Sequence, residues 1–180
     1  MNYTRTAKTL HWLMAGLLFA LLALGIYMHD LPLSPEKLKL YSWHKWGGVT
    51  AFLLLFIRLG WRTTRRPPAL PASMAGWQRQ AAHAGHLLLY ALMLAIPLSG
   101  WLMSSAKGFQ TVYFGVLPLP DLIGKNKELG ELLALVHQSF NLLFIMLLAG
   151  HVGAALKHHF IDRDDILTRM LPRRHQENRS

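Results

Sequence analysis

Three long stretches of this sequence contain no charged side chain. They comprise residues 9–29, 80–106 and 132–156. As a helix rising about 1.5 Å per residue, each stretch is long enough to cross the hydrocarbon core of a bilayer, which is about 30 Å thick. We therefore predict membrane-spanning helices at about 10–28, 83–104 and 136–156. This pattern excludes a soluble globular protein and a disordered chain.

A weaker hydrophobic segment follows the first span. Its uninterrupted apolar core, residues 46–57, has only 12 residues and is short enough for a re-entrant segment. The alternative is a fourth span at 43–61, in which Lys45 and Arg58 extend to opposite headgroup layers. Tryptophans near both ends favour this span, because indole rings concentrate at membrane interfaces. With four spans, the chain is predicted to be an all-α, four-helix membrane bundle, a single domain over residues 1–180.

The first span has a competing interpretation as a signal peptide. Arg5 and Lys8 precede the apolar run, and the sequence Ala23-Leu24-Gly25 loosely resembles a cleavage site. The apolar run is longer than the usual signal-peptide core of about 7–15 residues. We therefore favour a span that is retained.

The distribution of Lys and Arg predicts the orientation in the membrane. Thirteen of these residues, including all 11 arginines, lie in the N-terminal tail, residues 58–82 and the tail from Lys157, whereas the opposite loops, with Lys45 included, carry six lysines. By the positive-inside rule, both termini are expected to be cytoplasmic. Residues 62–82 contain three prolines and are typical of a linker. In the outer loop we expect a turn at 117–121 and a helix that begins after an Asn126 cap.

Composition restricts the chemistry further. Hydrophobic residues make up 52% of the chain and charged residues 16%, with a formal net charge of +10. We attribute this charge to the cytoplasmic basic belt and predict no nucleic-acid binding. The absence of cysteine excludes disulfides, iron–sulfur ligation and covalent c-type haem attachment. Histidine is the residue in surplus, with ten copies.

Six of the histidines lie within the predicted spans or at their ends: His11, His44, His83, His86, His137 and His151. An ionisable side chain in a span is costly and indicates function by default, although any single imidazole can instead bond a neighbouring helix carbonyl. His137 and His151 are 14 residues apart, close to four full turns, so they share one helix face about 21 Å apart. The topology then places His44 near His137 on the outer side and His11 near His151 on the inner side.

Two facing imidazoles with an iron between them form a six-coordinate haem b site. Zinc fits less well, because a closed zinc site needs four ligands and no thiolate or carboxylate lies nearby. His83 and His86 are surplus to a scheme of four ligands, and His86 matches the depth of His151 as well as His11 does. His158 and His159 follow the inner end of the last span, where a quinone headgroup or a water interface is expected.

These residues together resemble the bacterial cytochrome b561 family. The resemblance rests on the order and spacing of these motifs: Thr9-Leu10-His11-Trp12, His44, His83-Ala84-Gly85-His86-Leu87, His137, Gly150-His151, Lys157-His158-His159-Phe160 and Arg169-Met170-Leu171-Pro172. It implies a multi-pass protein of the bacterial inner membrane with two haem b groups. The implied iron ligands are His11 with His151 at the inner haem and His44 with His137 at the outer haem.

The resemblance also implies exchange of electrons with the ubiquinone pool, and one type of family member oxidises periplasmic superoxide. We therefore expect a quinone-linked oxidoreductase whose donor is a small molecule or a protein, with His158 and His159 as candidates for the quinone and proton site. One alternative is a haem-bearing membrane anchor subunit of a larger dehydrogenase or hydrogenase. Another is a histidine-lined transporter, which the lack of carboxylates within the spans disfavours.

Overall fold

The computed structural model describes residues 2–65, 67–71 and 74–171. Four long helices form it: α1 (Arg5–His29), α2 (Pro35–Thr64), α3 (Gly76–Ala106) and α4 (Lys127–Phe160). A short helix, α5 (Ile166–Met170), follows α4. Between α3 and α4, the strands β1 (Val112–Tyr113) and β2 (Leu117–Pro118) pair as an antiparallel hairpin. The predicted all-α class is confirmed.

Three of the four long helices, α1, α2 and α4, begin at a residue whose side chain caps the first turn. The side chains of Thr4, Ser34 and Asn126 accept hydrogen bonds from backbone N–H groups three residues further on, which satisfies donors that the first helical turn leaves free. The cap expected at Asn126 is therefore present, with 3.0 Å between its Oδ1 and the nitrogen of Leu129. Because α4 continues without a break to Phe160, the outer helix and the last predicted span are one element.

Three of the four long helices, α1, α3 and α4, are long and apolar enough to cross a membrane. Large apolar side chains remain exposed along them, for example Leu13, Leu88 and Leu142, as expected where lipid is the solvent. The fourth, α2, is more polar, and the predicted span 43–61 lies within its 30 uninterrupted residues. A re-entrant segment would reverse direction inside the membrane, whereas α2 is a continuous helix.

The helices pack in chain order, α1 against α2, α2 against α3 and α3 against α4. Met14, Leu55 and Phe144 are almost fully buried between them. A glycine allows the closest approach of α1 and α2: a Cβ atom on Gly47 would lie 2.7 Å from Cδ2 of Leu21.

Two expectations about the loops are corrected. The predicted linker 62–82 is shorter than expected, because α2 ends at Thr64 and α3 begins at Gly76. The turn in the outer loop lies before residues 117–121 rather than within them. It is formed by Phe114 and Gly115, which both have positive φ angles of 50° and 73°. Leu117 and Pro118 instead form β2, where an edge position needs no proline N–H.

Candidate functional site

The outer histidine pair joins α2 and α4. The ring centroids of His44 and His137 are 6.5 Å apart, with an angle of 82° between the ring planes. Nδ1 of His44 is buried and has no hydrogen-bond partner among the described residues. Two imidazoles from different helices thus lie close together, as predicted from the membrane depth that the sequence gives each of them.

The ring of His137 is held through its Nδ1 atom. That atom lies 3.0 Å from the carbonyl oxygen of Ile96 and 3.0 Å from Oγ of Ser99. Since Oγ of Ser99 donates its own hydrogen to the Ile96 carbonyl, both neighbours act as acceptors for an Nδ1–H. This tautomer leaves the Nε2 lone pair of His137 available for a metal, which is the usual arrangement behind a ligating histidine.

Glycines on the neighbouring helices make room for both outer rings. A Cβ atom on Gly100 would lie 3.1 Å from Cε1 of His137, and one on Gly25 would lie 3.3 Å from Cε1 of His44. Both distances are shorter than ordinary van der Waals contact. The α1 and α3 backbones therefore approach the two imidazoles so closely that an added methyl group would require the rings to move.

The inner site contains three histidines. The ring centroids of His11 and His151 are 6.4 Å apart, and those of His86 and His151 are 5.4 Å apart. The structure therefore places the predicted pair together and also places His86 beside it. Both candidates for the partner of His151 remain within reach.

An arginine distinguishes the inner site from the outer one. Nη2 of Arg58 donates to Nδ1 of His11 at 3.1 Å, and its Nε donates to the hydroxyl of Tyr90 at 3.0 Å. Arg58 was expected to extend to the headgroups, but it is bonded to side chains of α1 and α3. Its bond requires an unprotonated Nδ1, so a neutral His11 carries its hydrogen on Nε2. Iron binding through Nε2 of His11 therefore requires this contact to be replaced.

The spacing of both predicted pairs fits a haem. With metal–nitrogen bonds of about 2 Å on each side, the centroids of two axial imidazoles lie about 6 Å apart. The separations of 6.4 Å and 6.5 Å are close to this value. The donor set of imidazoles alone also suits haem iron better than a closed zinc site.

His83 and His86 border a small cavity near the start of α3. The cavity has a volume of about 260 Å³ and is also lined by Leu59, Arg62 and Tyr90. It is slightly smaller than a typical ligand pocket, which has about 300–1,000 Å³. Arg62 is a cationic donor, and no carboxylate is among the described residues that line the cavity, so it suits an anionic or carbonyl oxygen.

Past the inner end of the bundle, the structure separates His158 from His159. Nδ1 of His158 lies 2.6 Å from Oδ2 of Asp164 and 3.1 Å from Oδ2 of Asp162. His159 instead packs against the ring of Phe160. Neither aspartate was predicted from the sequence, although the signal was present: a histidine followed by aspartates four and six residues later.

A family profile and two known proteins match this chain along nearly its whole length. The profile of the prokaryotic cytochrome b561 family matches residues 2–173. Cytochrome b561 homolog 2 of Escherichia coli (strain K12) is 35% identical, with 94% of this chain and 91% of the relative covered. Cytochrome b561 homolog 1 of the same organism is 31% identical, with 96% and 98% covered. A Yersinia pestis protein named as a probable superoxide oxidase is 30% identical, over 52% of each chain.

A helical membrane protein with paired interior histidines is the class that the fold and the site define. Within this class, the chain belongs to the prokaryotic cytochrome b561 family. It is therefore a membrane electron-transfer protein of a family that binds haem b.

Proposed function

We propose that this chain binds two noncovalent haem b groups and passes electrons between a periplasmic donor and the ubiquinone pool. In this scheme His11 and His151 hold the inner haem, and His44 and His137 hold the outer haem. The observation that carries the proposal is the spacing of these two pairs, 6.4 Å and 6.5 Å between ring centroids. The bacterial inner membrane, with both termini in the cytoplasm, is the proposed location.

A haem iron with two imidazole ligands supplies reversible one-electron chemistry and has no open position for a substrate. The protein's own contribution is to fix the ligands. Ile96 and Ser99 hold His137 in one tautomer, and Gly25 and Gly100 permit the close approach of α1 and α3. His137 and His151 lie about 21 Å apart along α4, which supports transfer from one side of the membrane to the other.

In this proposal the electron donor and the electron acceptor react at opposite ends of the bundle. Ubiquinone is the acceptor at the inner end, where His158 and His159 follow α4 and an imidazole is suited to proton transfer near neutral pH. Superoxide is the donor to test first, because the Yersinia pestis relative is named as a probable superoxide oxidase. The other class of electron donor is a protein.

Cofactor content and reoxidation by quinone test the proposal together. We expect a pyridine haemochrome assay to give two haem b per chain, both low-spin and both removed by acid–acetone because no cysteine can bind them. Addition of a ubiquinone analogue to the reduced protein should reoxidise it. One haem per chain or a covalent haem contradicts the pairing, and a protein without Soret absorption favours the transporter alternative. Copurification of a second subunit, without reoxidation by quinone, favours the membrane anchor.

A further inference from the structure

The chain reverses direction immediately after α4 and brings two aspartates back to the end of that helix. Arg163 takes a left-handed conformation, with φ of 52°, and the backbone nitrogen of Asp164 donates to the carbonyl oxygen of His158. Asp164 is then bonded on both sides: its Oδ1 accepts from the nitrogen of Ile166, and its Oδ2 accepts from Nδ1 of His158. The carboxylate has little freedom to leave the imidazole.

His158 and Asp164 are both largely withdrawn from solvent. Their side chains are 13% and 19% exposed, and 2.6 Å separates Nδ1 from Oδ2. A contact this short is typical of a charge-assisted hydrogen bond. Since the carboxylate accepts at Nδ1, it fixes the tautomer and the orientation of the ring.

Helix geometry relates His158 to the inner histidine site. His151 and His158 are seven residues apart, which is within about 20° of two full turns and corresponds to about 10 Å along the axis. They therefore share one face of α4, whereas His159 lies about 80° away from that face. Among the described residues, the hydrogen bonds of the His158 ring all use Nδ1, so its Nε2 is the atom that remains for a ligand.

We propose that Asp164 is a positioning residue, which holds His158 so that Nε2 delivers protons to ubiquinone. This inference rests on the proposed function and extends it to a residue that does not touch the quinone. Reduction of one ubiquinone to ubiquinol consumes two electrons, which the reduced protein supplies, and two protons. The doubly protonated imidazole of His158 donates its Nε2 proton to a quinone oxygen and becomes the neutral form whose Nδ1–H Asp164 accepts. It then regains a proton at Nε2 from water on the cytoplasmic side, and a second such cycle delivers the second proton.

Asp162 is less suited to this role, although it also contacts His158. Its carboxylate forms an ion pair with Lys157, at 2.6 Å between Nζ and Oδ2, and its contact with the imidazole is longer, at 3.1 Å. His158, Asp162 and Asp164 are also close enough to one another to bind a metal ion. The ammonium of Lys157 already neutralises one of these carboxylates, which favours the hydrogen-bonded pair over a metal site.

Stopped-flow reoxidation of the reduced, haem-loaded full chain tests the proposal. Each variant is mixed with a soluble ubiquinone analogue and, separately, with ferricyanide, which takes an electron but no proton. For Asp164→Asn we expect the maximal rate with quinone to fall about tenfold, with the half-saturating quinone concentration within about twofold and the ferricyanide rate unchanged. Asparagine retains an oxygen for the nitrogen of Ile166, so the turn is preserved. Asp30→Asn, the same change at an exposed carboxylate near the opposite end of the bundle, is the matched control.

A double variant separates positioning from an independent effect. Because Asp164 acts through His158, adding Asp164→Asn to His158→Gln should cause no further loss. The inference is overturned if Asp164→Asn reoxidises at the wild-type rate, or if the losses of rate in the double variant are additive. It is also overturned if Asp164→Asn loses rate equally with quinone and with ferricyanide, or if Asp162→Asn loses more rate than Asp164→Asn does. Activity that EDTA removes and zinc restores would make the cluster a metal site instead. If quinone fails to reoxidise the wild-type protein, the proposed function itself is overturned.

Discussion

Single contacts between helices distinguish the outer histidine site from the inner one. At the outer site, the carbonyl of Ile96 accepts from His137, whereas at the inner site Arg58 donates to His11. The grouping of the histidines at two depths was predictable from the sequence, because position along a helix determines both depth and face. The contacts of Arg58 and Ser99 were not, because they depend on which side chains meet across two helices.

Removal of one ligand should remove one haem and leave the other. The two sites are about 20 Å apart along α4, so their ligands are independent. We expect His44→Ala or His137→Ala to halve the haem content by loss of the outer haem, and His11→Ala or His151→Ala to do the same at the inner site. Haem count and redox titration measure this.

The same experiment decides between His11 and His86. If His86→Ala removes the inner haem while His11→Ala retains it, His86 is the partner of His151. Its shorter ring separation, 5.4 Å against 6.4 Å, makes this comparison necessary.

Addition of one methyl group at Gly100 should disturb the outer haem. The new Cβ would lie 3.1 Å from Cε1 and 3.3 Å from Nδ1 of His137, so the ring has to shift from the Ile96 carbonyl. For Gly100→Ala we expect a shifted potential or lower occupancy of the outer haem alone. Gly60→Ala is the matched control, because nothing lies within 4 Å of the Cβ it would add. Equal effects of both substitutions would contradict this explanation.

At the level of elements, the short helix α5 and Leu171 after it form hydrogen bonds to α1 and to the segment between α2 and α3. Nζ of Lys8 donates to the carbonyl oxygen of Leu171 at 2.7 Å, and Nε1 of Trp12 donates to that of Met170 at 2.9 Å. Arg169 bonds both Asp165 and the carbonyl of Ala69. Its hydrogen bond lowers the pKa of Asp165, so this contact stabilises the segment at neutral pH and weakens as the pH falls through that lowered pKa. These contacts were not predicted from the sequence, because the hydrophobic pattern gives no information about them.

Lys8 should be the most sensitive of these links, because it is nearly buried, with 9% of its surface exposed. Lys8→Met should leave the Leu171 carbonyl without its charged donor and destabilise the docked segment by about 1–2 kcal/mol. Hydrogen exchange over residues 166–171 should accelerate, while haem content stays unchanged. Lys39→Met, at an exposed lysine near the other end of the bundle, is the control. Equal exchange in both variants would show that α5 docks without Lys8.

For the whole molecule, the order of the helices was predictable and the shape of the outer loop was not. Uncharged stretches identify three of the predicted spans because a charge in lipid is costly. All four predicted spans lie within the four long helices. The hairpin of β1 and β2 depends instead on contacts with α2. Nε1 of Trp46 donates to the carbonyl of Val112 at 2.7 Å, and Thr50 bonds the hydroxyl of Tyr113 at 2.9 Å. The outer end, where a donor would arrive, is therefore the part that the sequence described least.

Net charge at that outer end decides how a superoxide donor would behave. With Lys45 included, six lysines and five acidic residues lie on the side predicted to be outside, which leaves only +1. Lys107→Glu reverses this to −1. If superoxide is the donor, we expect reduction of the haem to slow in this variant, because an anion is repelled, and to slow with rising salt in the wild type, because attraction is screened. Stopped-flow absorbance measures both rates.

Arg5→Glu makes the same charge change at the opposite end of the bundle and should leave the rate with superoxide unchanged. Equal slowing in both variants would indicate a general effect of net charge rather than approach at the outer end. Rapid reoxidation by quinone in a protein that superoxide does not reduce would retain the acceptor and replace the donor, so that a protein donor becomes the next candidate. If quinone also fails, the oxidoreductase proposal is withdrawn, and a haem-bearing anchor subunit becomes the better explanation of the same four histidines.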